Sequence, residues 1–422
     1  MDLKDQLHQI QVGGKQVLYR KIRLLFIVLF RSPTILPLFF VLIIRIIKPL
    51  LLVRIGSLNN ERIGHFAANT ELYCCERDEG INTPDGFFVD LFFVSRQVCN
   101  FQLLKMWKRV LYVYPEWLLS PIQRLNNLIP GGEEHNIQTS QNDRDIHNLL
   151  EKLPCHVKFT PEDKAFAEQE MQKIGVPDNV PFVCLIVRDS AYLDHYQPQN
   201  HWEYHNYRDV DIDNYILASE ALAERGYYVI RMGVSVYKPL KSDHPKIIDY
   251  AFNGLHTDFM DIWLGAHCAF CISLGTGFDA VPVIFRRPIV YVNYVPIGYF
   301  NSVKESLGLF KHHYQLEGEL ELTLSEIIGC DEVHLALHAS TYTDKGIGLK
   351  ENTPEEIKAI ALEMADRIEG TWIEESGDSE LQDKFWKLFP SDAKTSNGVP
   401  LHGDIRARYG AVSLRNNHWW LK

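Results

Sequence analysis

Five short apolar runs, at 182–187, 227–232, 246–250, 268–273 and 289–293, alternate with helical or loop-like segments. Repeated strand–helix–strand units of this kind call for parallel pairing, a doubly wound α/β sheet. Between the first two runs, the spacing predicts a helix over 212–225. It places Ile212, Tyr215, Ile216, Ser219, Leu222 and Ala223 on one face, and Gly226 closes it. Thr353-Pro354-Glu355-Glu356 opens a further helix running to about Glu369.

The first half alternates in the same way. Strands are expected at 50–55, 90–94 and 110–114, and helices at 64–77 and 99–107. Residues 130–148 are polar with paired glycines and read as a surface loop or linker. Thr160-Pro161-Glu162-Asp163 is a helix start, with an N-cap, proline at the first position and acids on the positive end. That helix stops at Gly175, and 177–181 reads as a hinge. A chain of 422 residues suggests two or three domains. The expected division is a basic head over 1–49, α/β domains over 50–176 and 177–330, and C-terminal helices with a tail over 331–422. The tail either returns to the first domain or contacts a membrane interface.

Charge is uneven. Residues 1–54 hold nine basic and two acidic residues, net +7, which leaves −18 for the remainder of a chain of net −11. An acidic body excludes a general nucleic-acid binder. Hydrophobic residues make up 46% of the chain, which excludes a largely disordered protein. The head contains uncharged apolar runs at 24–30 and 35–44, each too short to span a bilayer. Joining them would bury Arg31, Pro33 and Pro37 at membrane depth. Two readings stay open: a monotopic element with Arg20, Lys21, Arg23, Arg31, Arg45 and Lys48 on anionic headgroups, or a helical hairpin buried in the fold. The eight cysteines cannot staple a chain of this size. Cys268 and Cys271 read as small hydrophobes in a buried strand, since no second Cys-x-x-Cys completes a zinc site.

In an open parallel sheet, ligands bind beyond the carboxyl ends of the strands. That rule selects Arg188 and Asp189, Gly233, and the turn Ser273-Leu274-Gly275-Thr276-Gly277. The turn is either an anion cradle, with the following helix aiming amides at a diphosphate, or a plain strand-to-helix turn. Arg208 is a further candidate, either a phosphate ligand facing the cleft or a solvated arginine. Asp209-Val-Asp211-Ile-Asp213 follows no apolar strand and reads as a helix cap, not a metal motif. The aromatic- and histidine-rich 192–207 stretch is either a lid over a ligand or a packed loop. No metal site and no cofactor are expected.

The segment from Ser273 through Pro282 and Arg286-Arg287-Pro288 to Asn293 resembles the nucleotide-sugar half of GT-B glycosyltransferases, heptosyltransferase-like enzymes in particular. The 160–175 helix followed by Phe182 to Asp189 is similar to the start of that half. Arg62-Ile63-Gly64-His65 resembles the acceptor-side glycine loop. The resemblance covers roughly 50–300 and recurs in the 408–421 stretch. It is to a bacterial family of glycosyltransferases associated with surface-polysaccharide biosynthesis.

The resemblance implies two Rossmann-like domains facing a cleft, and sugar transfer from a nucleotide-sugar donor to a glycan or lipid-linked hydroxyl without metal. It makes His65 the candidate base, with Glu71 and Asp90 in reserve. Arg188, Asp189, Arg208, Gly233, Ser273, Gly275, Thr276 and Gly277 are the candidate donor-binding residues, and Arg62 and Gly64 belong to the acceptor loop. The acid that holds the donor ribose in many relatives has no clear counterpart here. The expected place is the cytoplasmic, inner face of a membrane. Two alternatives remain, a non-catalytic nucleotide-binding partner at the membrane and a nucleotide-sugar epimerase on the same fold.

Overall fold

Most of the apolar runs become strands in the computed structural model, which describes residues 14–21, 35–137, 144–191, 203–301, 303–330 and 332–422. They are β1 (Leu52–Ser57), β2 (Phe88–Val94), β3 (Tyr112–Pro115), β4 (Phe182–Ile186), β5 (Tyr228–Met232), β6 (Ile247–Ile248), β7 (Phe270–Ser273), β8 (Ile289–Tyr294), β9 (Ser306–Phe310), β10 (His312–Gln315), β11 (Ile347–Lys350) and β12 (Arg408–Tyr409). The fold is mixed α/β with parallel sheets, and the chain divides into two units. That division interleaves along the sequence, whereas the residues suggested linear boundaries after 49, 176 and 330.

One unit is drawn from 1–58, 82–97 and 111–139. Its parallel sheet has the order β1-β2-β3. The helix Ile35–Ile47 places Val41 and Ile44 in a core with Val53, Ile55, Phe93, Leu119 and Ile122. Arg54 and Asp90 face each other across β1 and β2 in a buried bidentate pair, at 2.7 and 2.6 Å. Asp90 therefore neutralises a buried arginine and is a poor candidate for a free base. Arg45 turns inward to Asn126 Oδ1 and to the carbonyls of Asn126, Ile129 and Pro130, and Lys48 pairs with Glu134. Neither of these two bases of the head points freely outward. The run at 24–30, with Arg23 and Arg31, lies outside the described residues. No helix among the described residues is long and apolar enough to cross a membrane.

The other unit is drawn from 59–81, 98–110 and 140–422. Its seven parallel strands run β12-β9-β8-β7-β4-β5-β6, beside a separate antiparallel pair, β10-β11. Capping drives the helices as expected. Thr160 and Asp163 form a reciprocal capping box on Pro161–Lys173, and Thr353 and Glu356 do the same on Pro354–Glu369. The helix expected over 212–225 begins as a 3₁₀ turn, Ile212–Tyr215, capped by the Asp211 side chain, and becomes α-helical over Ile216–Glu224. The tail stays in this unit: β12 extends the sheet beside β9, and Trp420 packs on Phe385 and Tyr409. Cys268 and Cys271 are fully buried and unpaired, as the apolar surroundings of their sequence indicate.

Candidate active site

The seven-stranded sheet reverses its order at β4. β5 and β6 lie on one side, and β7, β8, β9 and β12 on the other. Between β4 and β7, the connections after the two strands part in opposite directions and open a crevice. A cavity of about 330 Å³ occupies that place. Arg188 and Asp189 enter it from the end of β4, and Met232 to Val236 from the end of β5. Thr276, Gly277 and Phe278 enter after β7, joined by Arg208 and by Arg62, Ile63 and Gly64 at the start of the helix Ile63–Asp78.

Three arginines, Arg62, Arg188 and Arg208, line the cavity together with Glu61, Asp189 and Asp261. Arg188 is largely buried, with its Nε 3.2 Å from Asp209 Oδ1. Burial lowers its pKa, and the nearby Arg208 pushes in the same direction. Two guanidiniums therefore stand close, with the carboxylates of Asp209 and Asp189 nearby. Arg208 Nη2 donates to the carbonyl of Gly275, while its Nε is buried with no hydrogen-bond partner. Lys311 fixes the segment that carries Arg208, donating to the carbonyls of Tyr207 at 2.9 Å and Asp209 at 3.0 Å. Burial pushes that ammonium down to about 8.

The glycine-rich turn is shaped by close approach. Gly275 has φ of +87°, and a Cβ there would lie 2.6 Å from the Tyr294 ring. The amide of Thr276 does not face a ligand, as it donates to Asp279 Oδ2 at 2.8 Å. Ser273 and Thr276 hydroxyls also donate to Asp279. Burial pushes that carboxyl up to about 6. Ser273 is thus buried behind the turn, away from the cavity wall. Asp189 lines the cavity, yet its two oxygens accept from the amides of Ala191 and Tyr237. It orders the loops rather than offering free oxygens to a ligand.

The candidate bases separate. His65 lies in the first turn of Ile63–Asp78, half-buried, with Nδ1 3.4 Å from Asn69 Oδ1, and is not part of the cavity wall. Glu71 has no exposed surface; Arg286 Nη2 lies 2.7 Å and His156 Nδ1 3.1 Å from its Oε1. It is therefore a buried ion-pair partner with no open face toward an acceptor. Among the described residues, Glu71, Cys75 and His156 bring three potential metal-ligating atoms within 4.8 Å of one another. Arg286 already supplies positive charge at that point, which opposes a divalent ion.

Sequence reasoning missed Asp261, which lines the same cavity from the helix Asp258–His267. Its Oδ2 lies 2.7 Å from His256 Nε2, and burial raises its pKa. The only local signal is the Thr257 cap ahead of acids, which reads as ordinary helix capping. Cys99 and the 234–236 loop were missed as well, because each reaches the cavity only through tertiary packing. The aromatic stretch over 192–202 falls outside the described residues.

The chain matches no protein-family model and no curated protein. Among solved structures it is similar to the E. coli ADP-heptose lipopolysaccharide heptosyltransferase II, at 11% identity and a TM-score of 0.38, over 61% of this chain and 90% of that one. It is similar to a Veillonella parvula family 9 glycosyl transferase, at 11% identity and a TM-score of 0.38, over 62% and 86%. The E. coli heptosyltransferase WaaC with ADP-2-deoxy-2-fluoro heptose matches at 12% identity and a TM-score of 0.26, over 57% and 88%. What the cavity can do chemically rests on its own residues.

Proposed function

We propose that the chain is a glycosyltransferase that binds the diphosphate of a nucleotide-sugar between Arg188 and Arg208. One observation carries this reading: two guanidiniums line the cavity at the sheet's switch point, close enough to act on each other, and one has a buried, unpartnered donor. An acceptor hydroxyl attacks the anomeric carbon, and the bond from that carbon to the diphosphate oxygen breaks. The diphosphate leaves with the electron pair, and the two arginines stabilise its developing charge in place of a metal. In an inverting reaction the hydroxyl proton passes to a base, for which we propose His65. A proton on Nδ1 facing Asn69 leaves Nε2 free to accept it. Asp261 is suited to accept a hydroxyl of the donor ribose, since it is a buried carboxyl on the cavity wall. The acceptor is a glycan or lipid-linked hydroxyl, consistent with a cytoplasmic enzyme peripheral to a membrane.

The test is a thermal-shift panel of nucleoside mono- and diphosphates and CMP, with and without EDTA. A ligand at about 100 times its dissociation constant adds roughly 2.7 kcal/mol. A selective shift that EDTA leaves unchanged, and that Arg208→Ala abolishes, supports metal-free donor binding. No shift with any nucleotide overturns the reading.

A further inference from the structure

Asp261 sits where a helix start ordinarily carries an apolar side chain. Thr257 caps the helix Asp258–His267, its side chain accepting from the Met260 amide. His256 therefore precedes the cap, and Asp261 is the fourth helical residue. Those two positions are commonly a hydrophobic staple. Here they hold an ion pair, with His256 Nε2 2.7 Å from Asp261 Oδ2 and the side chains 24 and 9% exposed. Helix stability does not call for such a pair, because replacing a buried ion pair by apolar side chains is often neutral or stabilising. The pair is nonetheless fixed from both sides. The Tyr250 hydroxyl accepts from the Thr257 amide, and its ring lies 5.9 Å from that of His256. In the first turn, Asp258 accepts from the Asn100 side chain and the Phe101 amide. Among the described residues nothing donates to Asp261 Oδ1, and that oxygen is not sealed in the interior. Asp261 lines the cavity that holds Arg188 and Arg208.

We infer that His256 is a positioning residue, holding Asp261 Oδ2 so that Oδ1 accepts from the ribose diol, and that the pair makes the site prefer ribonucleoside diphosphates to their deoxy analogues. The inference rests on the proposed seating of a diphosphate between Arg188 and Arg208. An ionised carboxylate accepts hydrogen bonds and cannot give them, so Oδ1 repels phosphate and selects a hydroxyl. In a nucleoside diphosphate the hydroxyls are those of the ribose. Burial alone would lower the His256 pKa, but the hydrogen bond to Asp261 raises it, which keeps a proton on the imidazole for Oδ2. An analogue without the hydroxyl leaves a buried carboxylate oxygen with no partner, and that loss is the source of the discrimination.

Titration calorimetry compares ADP, GDP, UDP and CDP with their 2′-deoxy and 3′-deoxy analogues. The parent should bind its preferred diphosphate at least tenfold more tightly than one of the two analogues. Asp261→Ala and His256→Leu should bring that ratio to within about twofold, chiefly by weakening the ribonucleotide. His256→Gln, whose amide still donates, should retain most of it. Melting temperatures show that each variant is folded. A purely structural histidine would weaken ribose and deoxyribose forms alike, so the ratio separates positioning from folding. A parent that binds diphosphates equally well with and without either hydroxyl overturns the inference and leaves the glycosyl-transfer reading standing. A folded His256→Leu protein with the parent's ratio also overturns it. Should no diphosphate bind, both fall together.

Discussion

Gly64, at the start of one helix, and Gly277, in the turn after β7, meet backbone to backbone. A Cβ on Gly64 would lie 2.9 Å from both the Cα and the carbonyl oxygen of Gly277. Neither obstacle is a side chain that can rotate away, so this contact fixes one wall of the cavity. Gly64→Ala should destabilise the protein by about 1–3 kcal/mol and weaken nucleotide binding. Gly329→Ala, where nothing lies within 4 Å, should change stability by less than about 0.5 kcal/mol. Denaturant melts of both variants check this, and equal effects would contradict the contact.

Arg188 and Arg208 should matter to diphosphates more than to monophosphates. Removing either charged donor should raise the Kd of a nucleoside diphosphate about tenfold to a hundredfold. Titration calorimetry reads this directly. A loss of equal size for the nucleoside would place the arginines away from the phosphates.

Lys311 acts on the site through Arg208 and is a positioning residue. Lys311→Met leaves the Tyr207 and Asp209 carbonyls without their donor and frees the segment between them. Nucleotide affinity should fall severalfold, and stability by about 1–3 kcal/mol. Should the affinity for nucleotide be unchanged in a folded Lys311→Met protein, the clamp has no bearing on the site.

His156 gives the fold a pH dependence of known sign. Burial alone would lower its pKa, but hydrogen bonds to Cys75, Glu71 and Asp78 carry it up to about 10. The ordinary value is 6.5, so the folded state holds this proton more tightly than the unfolded chain does. The stabilisation is complete below about pH 6.5 and is lost as pH rises toward 10. The stability gap between the parent and His156→Gln should therefore shrink between pH 6 and pH 10, by on the order of 2 kcal/mol. A gap independent of pH would show that the imidazolium is not the species held.

His65→Ala should lower kcat by about a hundredfold or more while leaving donor affinity unchanged, since it lies outside the cavity wall. Glu71→Gln should instead act on stability, because Arg286 and His156 would lose a buried partner. Full activity of a folded His65→Ala protein assigns proton removal to another group.

Much of the local architecture is legible without coordinates, because local rules govern it. The apolar runs became β4, β5, β7 and β8, and the threonine–proline starts became capped helices, since caps and strand burial depend on neighbours in sequence. Arg188, Asp189, Gly233, Thr276 and Gly277 follow from one topological rule and do converge on one cavity, where Arg208, a separate candidate, joins them. The weaker expectations failed where a distant partner intervened. Asp90 met Arg54 across a sheet and Glu71 met Arg286, whereas the Thr276 amide was taken locally, by Asp279 three residues on in a capping box. β9 and β12 were not anticipated at all, because β12 is two residues long and exists only through pairing with β9.

The sequence by itself determined the strand–helix rhythm, the glycine turn, the basic head and the residue types available for phosphate binding. Tertiary structure alone decided which of those groups stayed open to a ligand. Sheet order set Arg188 beside Arg208, brought Asp261 to the cavity wall and closed Glu71 behind Arg286. The reason is physical. Backbone propensity is a property of adjacent residues, whereas the chemistry of a charged group depends on burial and on partners that the chain brings together only when folded.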